Sequence, residues 1–314
     1  MRGVVTSHPV RFPVASLLIL VACRDSATGD PDATQGPGPD APYVYPPPRT
    51  DVVPQVGSAN SVDIATWNIE NFPKTSDTPE HVADLIASMD LDLIAMQEVE
   101  DIDAFDEVVA RLRGYDGLLS THTYGNGDYQ KLGFIFRTSI LEVEAPTLLL
   151  TNNSYELPRP PLRVTVTVRG AGVDFTAITT HMKAGFDIED RDRRQAATVL
   201  LEAYVAGQVA GQGDPEVLVL GDFNEILTSA GGQAVLAPWL APTSYDVLTQ
   251  ELADAGDTSF LPTGVILDHQ VSTVGLADEL AGGTTQIPPL DDQFLGYRSQ
   301  VSDHLPVVVS MPIL

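Results

Sequence analysis

Short apolar runs broken by polar residues recur from about residue 61 to the end of the chain, and they predict a sheet-rich fold. Many of these runs are rich in Val, Ile, Thr and Phe and are under ten residues long, which is typical of strands. The predicted strands cover residues 62–66, 93–96, 131–137, 162–168, 173–181, 217–221, 265–273 and 307–310.

Two other segments have helical spacing. Thr78 and Pro79 predict the start of a helix, because Pro is favoured in the first turn, and apolar residues follow at positions 82, 85, 86 and 89. Residues 191–210 predict a second helix. Since strands and helices mix without strict alternation, the pattern favours an α/β sandwich over a barrel or a doubly wound fold.

The first 22 residues have the pattern of a secretory signal peptide. Arg2 and Arg11 precede the apolar run FPVASLLILVA at 12–22, which is too short to span a bilayer as a helix. The junction LVAC at 20–23 resembles a bacterial lipobox, in which the cysteine is lipidated and becomes the mature N-terminus. Cys23 is therefore the expected lipidation site, and the alternative is a cysteine that follows an ordinary signal peptide by chance.

Residues 23–60 are rich in Asp, Gly, Pro, Ser and Thr, and this composition predicts a disordered tether. From residue 61 to 314 there is no second linker and no internal repeat, so we expect one catalytic domain over 61–314. Arg24 replaces the Asp that retains many lipoproteins in the inner membrane. The expected location is the bacterial cell envelope, at the outer membrane or cell surface, or a secreted form.

The chain is strongly acidic, with a formal net charge of -26 and a pI near 4.2. It therefore has no general electrostatic attraction to nucleic-acid phosphates or anionic lipid. An anionic substrate would need a bound cation to supply positive charge locally. The single cysteine excludes an internal disulfide framework and a Cys-rich zinc site.

Polar residues that can bind a metal ion or a phosphate group stand at the ends of several predicted strands. In LVLGDFNE at 218–225, the alternation of side chains directs Asp222 and Asn224 to the same side. A strand that stops in a polar turn would give the same pattern, since Gly, Asp and Asn are common turn residues. The full set provides hard oxygen ligands together with two histidines, as metal-assisted phosphoester hydrolysis requires. Its members are Asn68, Glu98, His181, Asp222, Asn224, Asp268, Asp303 and His304.

These motifs resemble the endonuclease/exonuclease/phosphatase superfamily of deoxyribonuclease-like, metal-dependent phosphoesterases. The resemblance runs from DIATWNIENF at residue 63 through LDLIAMQEVE, THMKAG, LVLGDFNE and LDH to SDHLPVVV at 302–309. GDFN and SDHLPV are its most specific pieces. The resemblance implies an α/β four-layer sandwich of two packed mixed β-sheets flanked by helices, and we expect a monomer.

The resemblance also implies a metal site. Glu98 is the implied principal ligand of a Mg²⁺ or Mn²⁺ ion. Asn68 and Asp303 would complete the site, directly or through water. Oxygen ligands with retained waters suit Mg²⁺.

The other motif residues are implied to carry out the chemistry. Asp222 would orient and deprotonate the attacking water, and Asn224 would hold a non-bridging phosphate oxygen. His181 and His304 would stabilise the pentacovalent phosphorus and provide local positive charge. Asp268 would bond His304, fixing its tautomer and favouring its cation. The alternative for this aspartate is an exposed turn, because the two residues after it are more polar than is usual in the family.

Several basic residues are candidates for substrate contact. Arg163 and Lys183 lie where related bacterial secreted nucleases carry basic residues, so they are tentative phosphate-binding residues, with solvated strand ends as the alternative. Arg191, Arg193 and Arg194 are expected to form a charged helix face instead.

The motifs favour a nuclease among the possible phosphoesterases. WNIENF, HMKAG followed by DRRQA, and GDFNE are similar to the bacterial secreted nuclease branch, which implies hydrolysis of DNA or RNA outside the cytoplasm. The segments typical of inositol phosphatases and sphingomyelinases are absent from the sequence.

Two alternative functions remain. One is a phosphoesterase acting on small or lipid phosphoesters, which needs no long cationic groove. The other is a catalytically silent, lipid-anchored binding protein.

Overall fold

The computed structural model describes residues 44–211, 214–241 and 243–313. Residues from Tyr45 onward form one compact unit. The predicted signal peptide, the lipidation site Cys23 and the tether up to residue 43 lie outside the described residues. None of the described helices has the length and apolar character needed to cross a bilayer.

The first sheet of the described residues has six strands in the order β11-β12-β1-β2-β4-β3. β1 and β2 run parallel, and the other neighbours are antiparallel. Its strands are β1 (Ser61–Phe72), β2 (Leu93–Val99), β3 (Tyr115–Leu119), β4 (Lys131–Arg137), β11 (Thr284–Gln286) and β12 (Val307–Pro312).

The second sheet of the described residues also has six strands, in the order β5-β6-β7-β8-β10-β9. Here β7 and β8 are the parallel pair, and the other neighbours are antiparallel. Its strands are β5 (Leu141–Leu148), β6 (Leu162–Val168), β7 (Val173–His181), β8 (Val217–Asp222), β9 (Tyr245–Val247) and β10 (Asp268–Thr273).

Helices connect and cover the sheets. The two longest are α1 (Thr78–Met89), which begins with Pro79 in its first turn, and α3 (Ile188–Ala210). The other helices are α2 (Ile102–Arg111), α4 (Ala230–Leu236), α5 (Gln250–Ala255), α6 (Ala277–Leu280), α7 (Leu290–Gln293) and α8 (Tyr297–Gln300), with 3-10 turns at Ala237–Leu240 and Val274–Leu276.

Three apolar clusters hold the layers together, and they confirm the expected four-layer sandwich. Alternate residues of the strands, such as Ile64, Phe134 and Val164, meet between the two sheets. The opposite face of the first sheet packs against α1, α2 and α8. The opposite face of the second sheet packs against α3 and α4. Because strand side chains alternate, each sheet can bury apolar residues on both faces.

The apolar pattern of the sequence correctly predicts most of the long strands. The predicted strands at 131–137, 162–168 and 173–181 have the bounds of β4, β6 and β7. β1 and β2 extend beyond their predicted ends to include Asn68 and Glu98. The strand predicted at 265–273 begins only at Asp268, because the preceding residues make an isolated bridge between Phe260 and Val265.

The folded unit begins earlier than the predicted domain boundary at residue 61. Val53 is buried in the cluster under α1, and the backbone nitrogens of Val56 and Gly57 both donate to the carbonyl of Met89. A Cβ atom on Gly57 would lie 2.1 Å from the Asp90 carbonyl oxygen, so only glycine fits this approach. Residues 45–60 therefore belong to the domain, and this corrects the predicted tether.

Candidate active site

The ends of four central strands bring the motif residues of both sheets together. Within the second sheet, Asp222 pairs with His181 on one side and with Asp268 on the other. Each sheet has one parallel strand pair, and the carboxyl ends of parallel strands meet at one edge, where sites commonly form. The Asn68 Nδ2 links the two sheets, because it lies 3.1 Å from Glu98 Oε1 and 3.0 Å from Asp222 Oδ2.

Asp222 is a buried carboxylate with both oxygens held in place. Oδ1 accepts the backbone N–H of Asn224 at 2.8 Å, and Oδ2 accepts from Asn68. Asn224 takes a positive φ of 52°, which turns the chain back toward the carboxylate. Burial raises the pKa of Asp222 to about 7, and the charge of Asp268 acts in the same direction. Asp222 can therefore accept a proton near neutral pH.

His304 forms a close pair with Asp268. Its Nδ1 lies 2.7 Å from Asp268 Oδ2, which also accepts a 2.6 Å bond from the Ser259 hydroxyl. Burial alone would lower the pKa of His304, but the carboxylates of Asp268, Asp222 and Asp303 outweigh it and raise the pKa to about 10. His304 is therefore a cation at neutral pH. Asp268 is fully buried, in contrast to the exposed turn considered from the sequence.

His181 differs from His304 in charge. Its Nε2 lies 3.6 Å from both Glu98 Oε1 and Asp222 Oδ2. Burial holds the pKa of His181 well below its usual range, and the charges of Arg159 and His304 add to this effect. This lowered pKa favours the neutral form of His181, in contrast to the local positive charge expected of both histidines. Arg159 also fixes this strand end through bonds to the carbonyls of His181 and Met182.

Carboxylates accumulate on one side of the site. Glu98 and Asp303 face a common pocket with Asp222, and so does Glu70, which is not among the residues predicted from the motifs. The Glu70 carboxylate accepts the backbone N–H of Asp303 at 2.7 Å. Both glutamates adopt positive φ angles, 64° for Glu98 and 41° for Glu70. Such backbone strain clusters at functional sites.

This group fits a divalent cation. Burial raises the pKa of Asp303 to about 6; the nearby His304 opposes this effect, and the charges of Glu70 and Glu98 add to it. A divalent cation would offset this concentration of negative charge, and its preferred ligands are oxygen atoms. The Asn68 amide oxygen accepts the backbone N–H of Glu70 at 2.9 Å and keeps a second lone pair, so it could bind the ion directly or through water.

The ligand atoms of Asp222, Asp268 and His304 also lie within 4.8 Å of one another, a spacing that could itself hold a metal ion. Because His304 is a cation whose Nδ1 is bonded to Asp268, this trio fits a proton-handling group better than a second metal site.

The site opens into a pocket of about 410 Å³ that is lined by both polar and apolar residues. The polar lining includes the carboxylates and His304. The apolar lining includes Phe186, Ile226, Phe260 and Val265. The volume lies within the range of small-ligand sites, roughly 300 to 1,000 Å³.

The two tentative basic residues are not among the residues lining this pocket. Lys183 is held by Asp190 of α3, with its Nζ 3.0 Å from the carboxylate, and it also bonds the Ala184 carbonyl. Arg163 lies on the face of β6 that points away from the inter-sheet core, and its charge acts on Asp214, near the start of β8. Their proposed phosphate contacts stay predictions.

Two other arginines line the pocket, in contrast to the charged helix face expected from the sequence. Arg194 is buried and bonds Glu225 Oε1 through Nε and through a terminal guanidinium nitrogen, both at 2.8 Å. Arg191 lies one turn earlier on α3 and also faces the pocket. One signal in the sequence could have identified Arg194. It shares the helical spacing of the buried Ala197, Leu201 and Val205, which marks the inner face of α3.

A buried carboxylate base, an adjacent imidazolium and a group of carboxylates suited to a divalent cation define the site of a phosphoester hydrolase. Over residues 65–304 the sequence matches the family described as the Endonuclease/Exonuclease/phosphatase family, and the chain belongs to this family. Its class of reaction is therefore the metal-dependent hydrolysis of phosphoric esters. No curated protein matches the sequence.

Solved structures share the fold at low sequence identity. A humanized TDP2 from D. rerio is 15% identical with a TM-score of 0.58, covering 80% of this chain and 98% of its own. A mannosyl-6-phosphatase from Bacteroides thetaiotaomicron is 15% identical with a TM-score of 0.58, covering 79% and 98%. The catalytic domain of human Nocturnin, with bound sulfate, is 16% identical with a TM-score of 0.58, covering 81% and 95%. At these identities the likeness concerns the fold alone.

Proposed function

We propose that the protein is a Mg²⁺- or Mn²⁺-dependent phosphodiesterase that cleaves nucleic acid outside the cytoplasm. The observation that carries the proposal is the buried trio of Asp222, Asp268 and His304, of which Asp222 and His304 line the same pocket as Glu98 and Asp303. A base and a fixed cation beside a metal site are the groups that phosphoester hydrolysis needs. The choice of nucleic acid is supported by the similarity of HMKAG, DRRQA and GDFNE to secreted nucleases.

Glu98 would be the principal ligand of the metal ion, and Asn68 and Asp303 would complete the site, directly or through water. Glu70 would keep Asp303 in place through the bond to its backbone nitrogen. When bound, the cation polarises a phosphoryl oxygen and offsets the charge of the surrounding carboxylates. Oxygen ligands suit both Mg²⁺ and Mn²⁺.

Asp222 would take the proton from the attacking water. Its bonds to Asn68 and to the backbone of Asn224 fix the carboxylate, and a pKa of about 7 makes it an effective base at neutral pH. The water oxygen bonds to phosphorus as the bond from phosphorus to the departing ester oxygen breaks. No covalent intermediate with the enzyme is required.

His304 would stabilise the negative charge that develops on the phosphoryl oxygens. Its Nδ1 is bonded to Asp268, so its Nε2 is left for the substrate. Neutral His181 can donate one further hydrogen bond. Asn224 bonds the Met182 carbonyl through its side-chain amide, at 3.2 Å, and keeps a second amide hydrogen for a non-bridging oxygen.

We also propose that the protein is a monomeric lipoprotein of the bacterial cell envelope, anchored through Cys23. The support for this part of the proposal is the sequence pattern at 1–23 alone. With residues 45–60 packed onto the domain, a tether from 23 to 44 would link the lipid to the enzyme.

The test is the hydrolysis of plasmid DNA, RNA and bis-p-nitrophenyl phosphate by the purified protein with Mg²⁺, Mn²⁺ or EDTA. We expect metal-dependent cleavage of a polymer and a loss of about 10²- to 10⁴-fold in Asp222→Asn, which keeps the shape of the side chain and removes the base. Turnover of the small diester alone would replace the nuclease with a phosphoesterase for small or lipid substrates. No hydrolysis of any of the three substrates would favour a catalytically silent binding protein.

A further inference from the structure

One side chain at the pocket mouth is exposed without an evident structural reason. Phe186 lines the pocket, and 90% of its surface is exposed. Single exposed apolar residues are common, but a large aromatic at the rim of a candidate active site offers a flat surface to a ligand.

The loop that carries Phe186 is firmly held. A terminal guanidinium nitrogen of Arg194 donates to the carbonyls of Lys183 at 2.7 Å and Gly185 at 2.9 Å. Gly185 has a φ of 121°, and a Cβ atom there would lie 2.0 Å from the Asp190 carboxylate. The backbone on the N-terminal side of Phe186 is therefore held against α3. A ligand that stacks on the ring has to order only the side chain of Phe186, which limits the conformational entropy lost on binding.

The same pocket carries a loosely paired arginine. The buried Arg194 makes the two close contacts to Glu225, whereas Arg191 Nε is 3.7 Å from that carboxylate. The Arg191 side chain is 50% exposed. Arg194 therefore holds Glu225 closely, and the Arg191 guanidinium is only loosely paired. A loosely paired, half-exposed guanidinium can bind an anionic group such as a phosphate.

We infer that Phe186 and Arg191 form a subsite for the nucleotide next to the scissile phosphate of a single-stranded nucleic acid. The base stacks on Phe186, and Arg191 binds the phosphate of that nucleotide. This inference rests on the proposed function and gives it a substrate class. Bases inside a duplex are already stacked on one another, so a single strand can offer a base face that a duplex cannot.

The acidic net charge of the chain also favours a single strand over a duplex as the ligand. Binding to a duplex relies on many cationic contacts along the backbone, which an acidic chain does not offer. Stacking on an aromatic ring needs few charges and tolerates any base. A membrane is the other surface that an exposed aromatic could contact, and the neighbouring Ile188 is 80% exposed. However, Phe186 and Arg191 line the same pocket as Asp222 and His304, which a single strand can enter and a flat bilayer cannot.

The test measures binding apart from turnover. The probe is a fluorescein-labelled 12-nucleotide DNA strand, single or paired with its complement, and the protein carries Asp222→Asn in the presence of Mg²⁺. We expect Phe186→Ala to weaken single-strand binding about 5- to 150-fold and Phe186→Tyr to restore it. Arg191→Gln should reduce the slope of log K against log salt by about 0.7, the value for one phosphate contact on a single strand.

Two matched variants serve as controls. Leu295→Ala removes an apolar side chain that is 94% exposed, and Arg169→Gln removes an arginine that is 49% exposed and paired with Glu142. Neither residue lines the pocket. We expect both controls to bind the probe like the parent protein.

Three results would overturn the inference. They are duplex binding as tight as single-strand binding, unchanged binding in both Phe186→Ala and Arg191→Gln, and a Phe186→Ala variant that loses binding to phosphatidylcholine vesicles while keeping its affinity for DNA. Failure of the proposed function would differ from these, because the wild-type protein would then cleave no nucleic acid. Cleavage with unchanged binding in the variants would remove the subsite and leave the nuclease.

Discussion

The Nδ1 atom of His304 lies 2.7 Å from Oδ2 of Asp268, a carboxylate that is fully buried and also bonded to the Ser259 hydroxyl. This contact joins the last motif of the chain to the strand beside Asp222. It sets both the orientation and the charge of the imidazole, since the carboxylate holds the proton on Nδ1 and favours the cation.

The first prediction concerns the alkaline side of the pH profile. Among the groups that raise the pKa of His304 to about 10, Asp268 has the largest effect. The wild-type rate should therefore show no alkaline decrease up to about pH 9. In Asp268→Asn the pKa of His304 falls, and the active cation is lost at a lower pH. We expect the alkaline limb of kcat to move down by at least one pH unit. Rate measurements with Mg²⁺ from pH 6 to 10 give the comparison.

Ser259→Ala is the control for this variant. It removes a neutral hydrogen bond from the same Asp268 oxygen and leaves the carboxylate charge beside His304. We expect its alkaline limb to stay close to that of the wild type. An unchanged limb in Asp268→Asn would mean that the cation of His304 does not limit the rate.

The second prediction concerns metal binding. Glu98→Gln keeps the size of the side chain and removes the charge of the proposed principal ligand. The Mg²⁺ concentration for half-maximal activity should then rise by at least about 10- to 100-fold. Mutating a residue that only hydrogen-bonds to a metal ligand can already lower metal affinity by this factor. Direct titration of Mn²⁺ by calorimetry gives a readout that needs no turnover.

Glu100→Gln is the matched control, two residues further along the chain. The Glu100 carboxylate is exposed, bonds Gln130 at 2.9 Å and does not line the active-site pocket. Equal Mn²⁺ affinity in Glu98→Gln and Glu100→Gln would place the metal ion elsewhere, with Asp222 and Asp268 as the next ligands to test.

Sequence patterns predict the fold best where strands are long and half-buried. β4, β6 and β7 carry apolar runs long enough to show their bounds. β9 and β11 have three residues each, which is too few for a period to appear, and the mostly exposed β5 has little apolar signal. These strands form only because neighbouring strands offer backbone partners.

The candidate site was predictable where a motif and a strand end coincide. Asp222, His304 and Asp268 meet because the last residue of β8, the first residue of β10 and the chain before β12 lie at the same edge. Glu70 and Arg194 could not be assigned in this way. Their partners, the Asp303 backbone and Glu225, are 233 and 31 residues away, and a charge pattern along one helix or strand does not show such contacts.

The third prediction concerns the N-terminus. If Cys23 is lipidated, the protein expressed in a bacterium should fractionate with membranes and incorporate an alkyne-labelled fatty acid. Cys23→Ser should lose the label and move to the soluble fraction. Fractionation and in-gel fluorescence check both. A wild-type protein that is soluble and carries no label would contradict the lipid anchor and leave a simple signal peptide.

The last prediction concerns stability, at a carboxylate far from the chemistry. Asp92 is buried between β1 and β4, where it accepts the backbone N–H of Asp63 at 3.1 Å and lies 3.1 Å from the Nε of Arg137. Burial raises its pKa to about 6, from 3.8 for a free side chain. The folded state therefore favours the protonated form. The contribution of Asp92 to the free energy of unfolding is fully present below about pH 3.8, and it is lost as the pH rises through 6.

Asp92→Asn imitates the protonated side chain and removes this loss. Its free energy of unfolding, relative to wild type, should rise between pH 4 and pH 6 and then level off. The total gain is on the order of 2 to 3 kcal/mol, since each pKa unit corresponds to about 1.4 kcal/mol. Urea unfolding at several pH values measures this difference, and effects of the substitution that do not depend on pH cancel from the change. A difference that stays constant from pH 4 to 7 would show that Asp92 is ionised in the folded protein throughout, with Arg137 compensating its burial in full.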